Sequence, residues 1–142
     1  MTKTNNKSKE RLSPLIERLI DANLNRLKEG LRVVEDICRY VYNDKHLTSE
    51  IKILRHKLQI SYSIDRLQHR DIVGDVQKTS TQSELSRLNL NDILIANFSR
   101  AEESSRVLEE IFKLQDTEQS ELFKQIRYQL YDIEKRYFQT YT

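Results

Sequence analysis

Apolar residues recur at three- and four-residue steps from Leu15 to about Tyr42, which predicts one helix of about seven turns. Ser13-Pro14 reads as its start, with Ser as N-cap and Pro at the first helical position. After Asn43-Asp44, the Thr48-Ser49 pair can cap a second helix that carries Ile51, Leu54, Leu58 and Tyr62 and ends near Leu67. From His69 to Ser80 no helical period persists, so one long ordered loop is expected there, with Arg70, Asp71, Gly74 and Asp75. Thr81-Gln82-Ser83-Glu84 matches a capping box and predicts a short helix to about Leu88. Asn91-Asp92 then caps a third long helix to about Leu114. Thr117 caps a fourth, bearing Phe123, Leu130, Tyr131, Ile133 and Phe138. The fold class is all-α.

The pattern is doubled. Residues 22–39, ANLNRLKEGLRVVEDICR, align without gaps with residues 96–113, ANFSRAEESSRVLEEIFK, at an offset of 74, and eight of the eighteen positions are identical. Downstream, Leu54-Arg55-His56-Lys57-Leu58 echoes Ile126-Arg127-Tyr128-Gln129-Leu130. A polar, basic tail over 1–12 is thus followed by a single helical bundle over 13–142. Its units, about 14–68 and 88–140, are joined by a functional loop over 69–87 and related by a pseudo-two-fold axis.

Advancing 100° per residue puts Ala22, Leu27, Leu31, Val33, Val34, Ile37, Cys38 and Tyr40 on one broad apolar arc of the first helix. Asn23 and Arg26 fall inside that arc, as do Asn97 and Arg100 in the second copy. Lys28, Arg32, Glu35, Asp36, Arg39, Arg106, Glu109 and Glu110 fall outside it and read as solvated faces. A core-facing guanidinium requires a carboxylate, a phosphate or a wet cavity. Arg26 and Arg100 therefore pair internally, with Glu29 and Glu103 as nearest choices, or meet a phosphate-bearing ligand. Arg127 has the same two options, with Glu134 as its internal partner. Asp71 and Asp75, on a Gly-containing loop, offer the oxygen ligands that suit Mg²⁺.

Length and composition narrow the classes. The chain of 142 residues has two glycines, one proline and a formal net charge of +2. That leaves little punctuation for sheets and no basic footprint for nucleic acid. No apolar run approaches the roughly 20 residues of a membrane span. A lone Cys38 forms no internal disulfide and fits a reduced cytoplasmic location. The histidines have no metal-ligand spacing, and neither a nucleophilic triad nor a glycine-rich phosphate loop is present.

The strings DANLNRLKEGLRVVEDICRY, ILRHKL, RDIVGDV, ANFSRAEESSRVLEEIFKL and IRYQLYDIE cover nearly everything after Leu19. With them the chain resembles the small helical hydroxymethylpyrimidine phosphate kinases of thiamine biosynthesis, which some bacteria carry fused ahead of thiamine phosphate synthase. The resemblance implies phosphorylation of 4-amino-5-hydroxymethyl-2-methylpyrimidine phosphate to the diphosphate, with ATP as co-substrate and Mg²⁺. It also implies a functional link to the synthase, although the chain itself would act alone. Homo-oligomerisation is compatible with it. On the motif positions, Arg26 and Arg100, with Arg55 and Arg127, would hold phosphates while Asn23 and Asn97 orient ring or sugar. Glu29, Arg32, Glu103 and Arg106 would orient them. Arg70, Asp71 and Asp75 would form the loop, the two aspartates recruiting Mg²⁺. Two other readings compete: a non-catalytic module that binds a pyrimidine phosphate or nucleotide, and an interaction protein whose buried arginines are all paired with glutamates.

Overall fold

Four long helices, α1 (Lys3–Asp36), α2 (Lys45–Lys57), α3 (Leu90–Phe112) and α4 (Thr117–Tyr141), make up the computed structural model. It describes residues 3–79 and 86–142, and side chains from Ser13 onward. A π-helical turn, Ile37–Val41, extends α1, and two 3-10 turns, Leu58–Ser61 and Asp65–His69, follow α2. Among the described residues there is no strand, so the all-α expectation holds.

Three helix starts are set by short acidic or amide side chains. Asp44 accepts a hydrogen bond from Leu47 N–H, Asn89 from Asp92 N–H, and Asp116 from Glu118 and Gln119 N–H. Each satisfies backbone donors that the first turn leaves open, a stabilisation of about 1 kcal/mol. These caps replace Thr48-Ser49, Asn91-Asp92 and Thr117. Asp and Asn sat close upstream in each case, and their oxygens reach the N2 or N3 amide as well as a hydroxyl does. Ser13-Pro14 lies inside α1, because a proline removes its own N–H bond without obliging the chain to leave the helix. The capping box at Thr81 lies outside the described residues, and Ser86 to Leu88 are not helical.

The two connections between paired helices differ in length. Asp44 and Asp116 cap corresponding helices, yet they stand 72 positions apart where α1 and α3 stand 74 apart, so the first connection holds two more residues than the second. The π-helical turn and Asn43, whose φ of 52° is left-handed, take up that surplus.

The helix α1 packs most extensively on α3, and α3 on α4, while α2 closes the side of α1. Ile20, Leu27, Leu31 and Val34 of α1 meet Phe98, Leu108 and Phe112 of α3, and Ile51 and Leu54 complete the core with Phe123, Ile126, Leu130 and Tyr137. The crossing of α1 and α3 is close at Gly30, where an added Cβ would stand 3.0 Å from the Asn97 carbonyl oxygen and 3.4 Å from the Ala101 Cβ. Helix propensity alone favours alanine here by ~1 kcal/mol. Overpacking against a backbone carbonyl outweighs it, at about 1–3 kcal/mol. Gly30→Ala is therefore expected to lower the thermal midpoint by roughly 3 °C. A midpoint at or above that of the parent protein would show that the two helices separate freely.

Candidate functional site

Each copy buries a carboxylate on the helix flank that the wheel assigned to solvent. Glu35 is 2% exposed and Glu109 6%. Each is held by an arginine one turn earlier on its own helix and by an arginine from the following helix. Arg32 Nη1 lies 2.9 Å from Glu35 Oε2, and Arg55 Nη2 lies 3.3 Å from Glu35 Oε1. In the second copy Arg106 Nη1 is 3.5 Å from Glu109 Oε2, and Arg127 Nη2 is 2.9 Å from Glu109 Oε1. The reading of Glu35 and Glu109 as solvated is corrected: α2 and α4 cover that flank, and their arginines neutralise it. Glu134 is not the partner of Arg127. Tyr131 and Glu109 hold the Arg127 guanidinium, which raises its already high affinity for its proton.

The structure engages Asn23 and Asn97 within their own helices and turns Arg26 and Arg100 outward. Asn23 is buried and its amide donates to the Leu19 carbonyl at 3.0 Å, while Asn97 donates to Ile93 at 2.8 Å. Arg26, Arg100, Glu29 and Glu103 are exposed, and neither arginine side chain makes an ion pair or hydrogen bond among the described residues. Ala22 and Tyr40, also placed in the apolar arc, are exposed. The reason is that α1 buries a strip through Ile20, Leu27, Leu31 and Cys38, set by the positions of α3 and α2, while Arg26 sits beyond its edge.

The segment after α2 is latched onto α1. Arg66 Nε lies 2.5 Å from Glu17 Oε2, and Arg70 makes two 2.8 Å hydrogen bonds to Asp21. Burial pushes the Glu17 carboxyl up, but Arg66 and Gln115 outweigh it and hold the group below its ordinary range. Asp71 and Asp75 lie further along, where each caps a local turn by accepting from Gly74 and Gln77 N–H respectively. Among the described residues no three His, Cys, Asp or Glu side chains are grouped to hold a metal.

This latch closes a cleft of about 430 Å³ between α1 and the turns after α2. Its apolar surface comes from Leu24 and Leu58, with the exposed Tyr62 ring beside them, and Asn25 and Gln59 offer amides. Lys28, Arg55, Arg66 and Arg70 bring four cations to the same space. Three of these are held by Glu35, Glu17 and Asp21, and Lys28 has no ion pair or side-chain hydrogen bond among the described residues. Of the residues singled out in the sequence, the cleft gathers Arg55 and Arg70. It adds Asn25 and Arg66, with Lys28, which the wheel assigned to solvent, and Tyr62, which the apolar spacing assigned to the second helix; periodicity does not mark a surface made by another segment. A second cleft of about 380 Å³ lies on the other side of Arg55, between the π-helical turn and α2.

The second copy has no such concentration of cations. Lys28 corresponds to Glu102, and its cleft is lined by Ser99, Glu102, Glu103, Arg106 and Tyr131. The Oε2 atoms of Glu102 and Glu134 are buried and meet no donor from elsewhere. Burial, then the neighbouring Glu134 carboxyl, push Glu102 up to about 8. Burial also pushes the Cys38 thiol up to about 12, so it is no nucleophile at neutral pH. No helix among the described residues is long and apolar enough to cross a membrane.

A family model described as the ThiD2 family matches residues 18–136. The thiamine-phosphate synthase of Nostoc punctiforme is 40% identical over 128 residues, which cover 89% of this chain and 36% of that protein. That of Synechocystis is 43% identical over 121 residues, covering 84% and 35%. In Rhodopirellula baltica the protein of the same name is 37% identical over 124 residues, covering 84% and 33%. The chain thus spans about a third of the length of these relatives. No solved structure matches.

Proposed function

The chain belongs to the ThiD2 family, and on that premise we propose that it is a kinase of thiamine biosynthesis. It phosphorylates 4-amino-5-hydroxymethyl-2-methylpyrimidine phosphate to the diphosphate, with ATP as co-substrate and Mg²⁺. The observation that carries this reading is the cleft at Arg55. It combines an apolar wall, an exposed aromatic ring, two amides and four cations in one space, which is what a flat heterocycle bearing a phosphate requires. The thiamine-phosphate synthase relatives support the pathway.

In the transfer, an ionised oxygen of the substrate phosphate attacks the γ-phosphorus. The bond from that phosphorus to the β–γ bridging oxygen breaks, and ADP leaves with the electron pair. The nucleophile is already an anion at neutral pH, so no general base is needed. Alignment and charge neutralisation carry the reaction. Lys28 and Arg55 hold the substrate phosphate, Glu35 keeps Arg55 oriented, and Leu24, Tyr62 and Asn25 fix the ring. Mg²⁺ typically takes one or two carboxylates together with substrate phosphates. Asp71 and Asp75 fit that limited demand, since each commits one oxygen to its turn and keeps the other. When bound, the ion neutralises phosphate charge.

Purified protein is expected to release ADP with the pyrimidine phosphate and not with the unphosphorylated alcohol. Lys28→Ala, at an exposed residue with no ion pair among the described residues, should raise KM for the phosphate about tenfold, the loss of one charge-assisted contact of roughly 1.4 kcal/mol, with the fold retained. Folded protein that turns over neither substrate would reject the kinase and leave a binding module. The internal pairing of Arg127 is what an interaction protein would also show. Arg55 differs in lining two open clefts.

A further inference from the structure

The cleft on the far side of Arg55 surrounds the connection between α1 and α2, which is two residues longer than its counterpart in the second copy. Its cations are Arg39, Lys45, Lys52 and Arg55. Arg39 lies against the Tyr40 ring, its guanidinium carbon 4.9 Å from the centroid, and Arg39, Lys45 and Lys52 are exposed with no ion pair among the described residues. Neither acid in the cleft is free to balance them. Glu35 is taken by Arg32 and Arg55, and Asp44 accepts from Leu47 N–H and from the Tyr141 hydroxyl. The Thr48 hydroxyl oxygen is buried and has no hydrogen-bond partner among the described residues.

The second copy keeps a lysine opposite Lys52, at Lys124, but spends other positions differently. Ser120, which corresponds to Thr48, donates to the Glu109 carbonyl at 2.7 Å. Lys113, which corresponds to Arg39, is paired with Glu110 at 2.9 Å. Thr117 and Glu121 stand where the first copy has Lys45 and Ser49. The first copy therefore holds three uncompensated cations and an idle hydroxyl around one hollow. Arg55 joins this hollow to the pyrimidine phosphate cleft. Its Nε and Nη2 are bound to Glu35, which leaves Nη1 without a partner among the described residues.

Resting on the kinase reading, we propose that this second cleft is the polyphosphate site: Arg39, Lys45, Lys52 and the Thr48 hydroxyl take the phosphate chain of a nucleoside triphosphate. Several cations around one hollow suit a ligand with three or four charges along a short chain better than a single phosphate. With its terminal phosphate at Arg55, that chain ends beside the phosphate held in the neighbouring cleft. Arg55 then spans the two reacting groups.

The test uses inorganic tripolyphosphate, which is no substrate, titrated calorimetrically at fixed ionic strength. K45A/K52A is expected to weaken binding at least tenfold. Lys28→Ala, in the other cleft, should stay within twofold, as should a charge-matched K124A/K135A control. Equal binding by K45A/K52A and the parent protein would overturn the site, and so would an equal loss in the control. Failure of the kinase reading looks different. A protein without turnover that still loses tripolyphosphate binding in K45A/K52A keeps the site and drops the reaction, whereas normal turnover and an unchanged KM for ATP in that variant keep the reaction and drop the site.

Discussion

Arg127→Ala is expected to destabilise the protein by about 3 kcal/mol, because removing one member of a buried ion pair strands the other. Glu109, 6% exposed, would keep only Arg106, whose guanidinium is 3.5 Å away and mostly in solvent. For a chain of this length that is a fall of roughly 10 °C in the thermal midpoint. Removing both charges and filling the space, as in E109L/R127M, should return the protein to within about 1 kcal/mol of the parent, since the attraction inside the pair does little more than offset its desolvation. Chemical denaturation measures both. A loss below about 1 kcal/mol for Arg127→Ala would mean that Glu109 reaches water without its partner. The corresponding Arg55→Ala should be milder, because the Arg55 side chain is 20% exposed against 10% for Arg127.

Stability is also expected to fall as pH rises from about 5 to about 8, through Glu102. Its folded-state value is raised to about 8 from an ordinary 4.5, first by burial and then by Glu134. Between those two values the native protein holds a proton that the unfolded chain has released. Linkage then lowers the unfolding free energy with each step in pH, and the loss is complete above the folded value. Allowing for the partial access of solvent to the cleft, the change is on the order of 2–3 kcal/mol. Glu102→Gln donates to Glu134 at every pH and should flatten this dependence, making the variant the more stable protein at pH 9. Urea denaturation at pH 5, 7 and 9 reads the difference directly. Parallel profiles for the two proteins would remove Glu102 as the cause.

The helices and the duplication were legible because both are periodic in the chain, one at 3.6 residues and the other at 74. Helix ends were placed less well, since Asp44, Asn89 and Asp116 compete with neighbouring Ser, Thr and Asn for the same capping role. The buried strip of α1 was misjudged by about a quarter turn. Ala22 and Tyr40 widened the apolar arc on one side, and only the positions of α3 and α2 decide which edge is covered. That error carried Arg26 and Arg100 into an imagined core and left Glu35 and Glu109 outside it. Their recurrence at the same place in both copies was the signal that they mattered. Arg55 was found through the echo of the second helix. Lys28 lay in plain view as a position where the copies carry opposite charges, Lys28 against Glu102, but a sign change acquires meaning only once both residues are seen beside a cleft.

A chain made of two like halves begins with two interchangeable sides, and two surplus residues in the first connection end that equivalence. Where the chain is longer, the backbone swells into a wide turn and reverses at Asn43, and Arg39, Lys45 and Lys52 around it make no ion pair among the described residues. Where it is shorter, the equivalent groups are drawn in: Ser120 fastens α4 to α3, and Lys113 is held by Glu110 at the end of its own helix. Length, more than the identity of any one residue, thus divides labour between the halves: one side is left available, and the other serves as its frame.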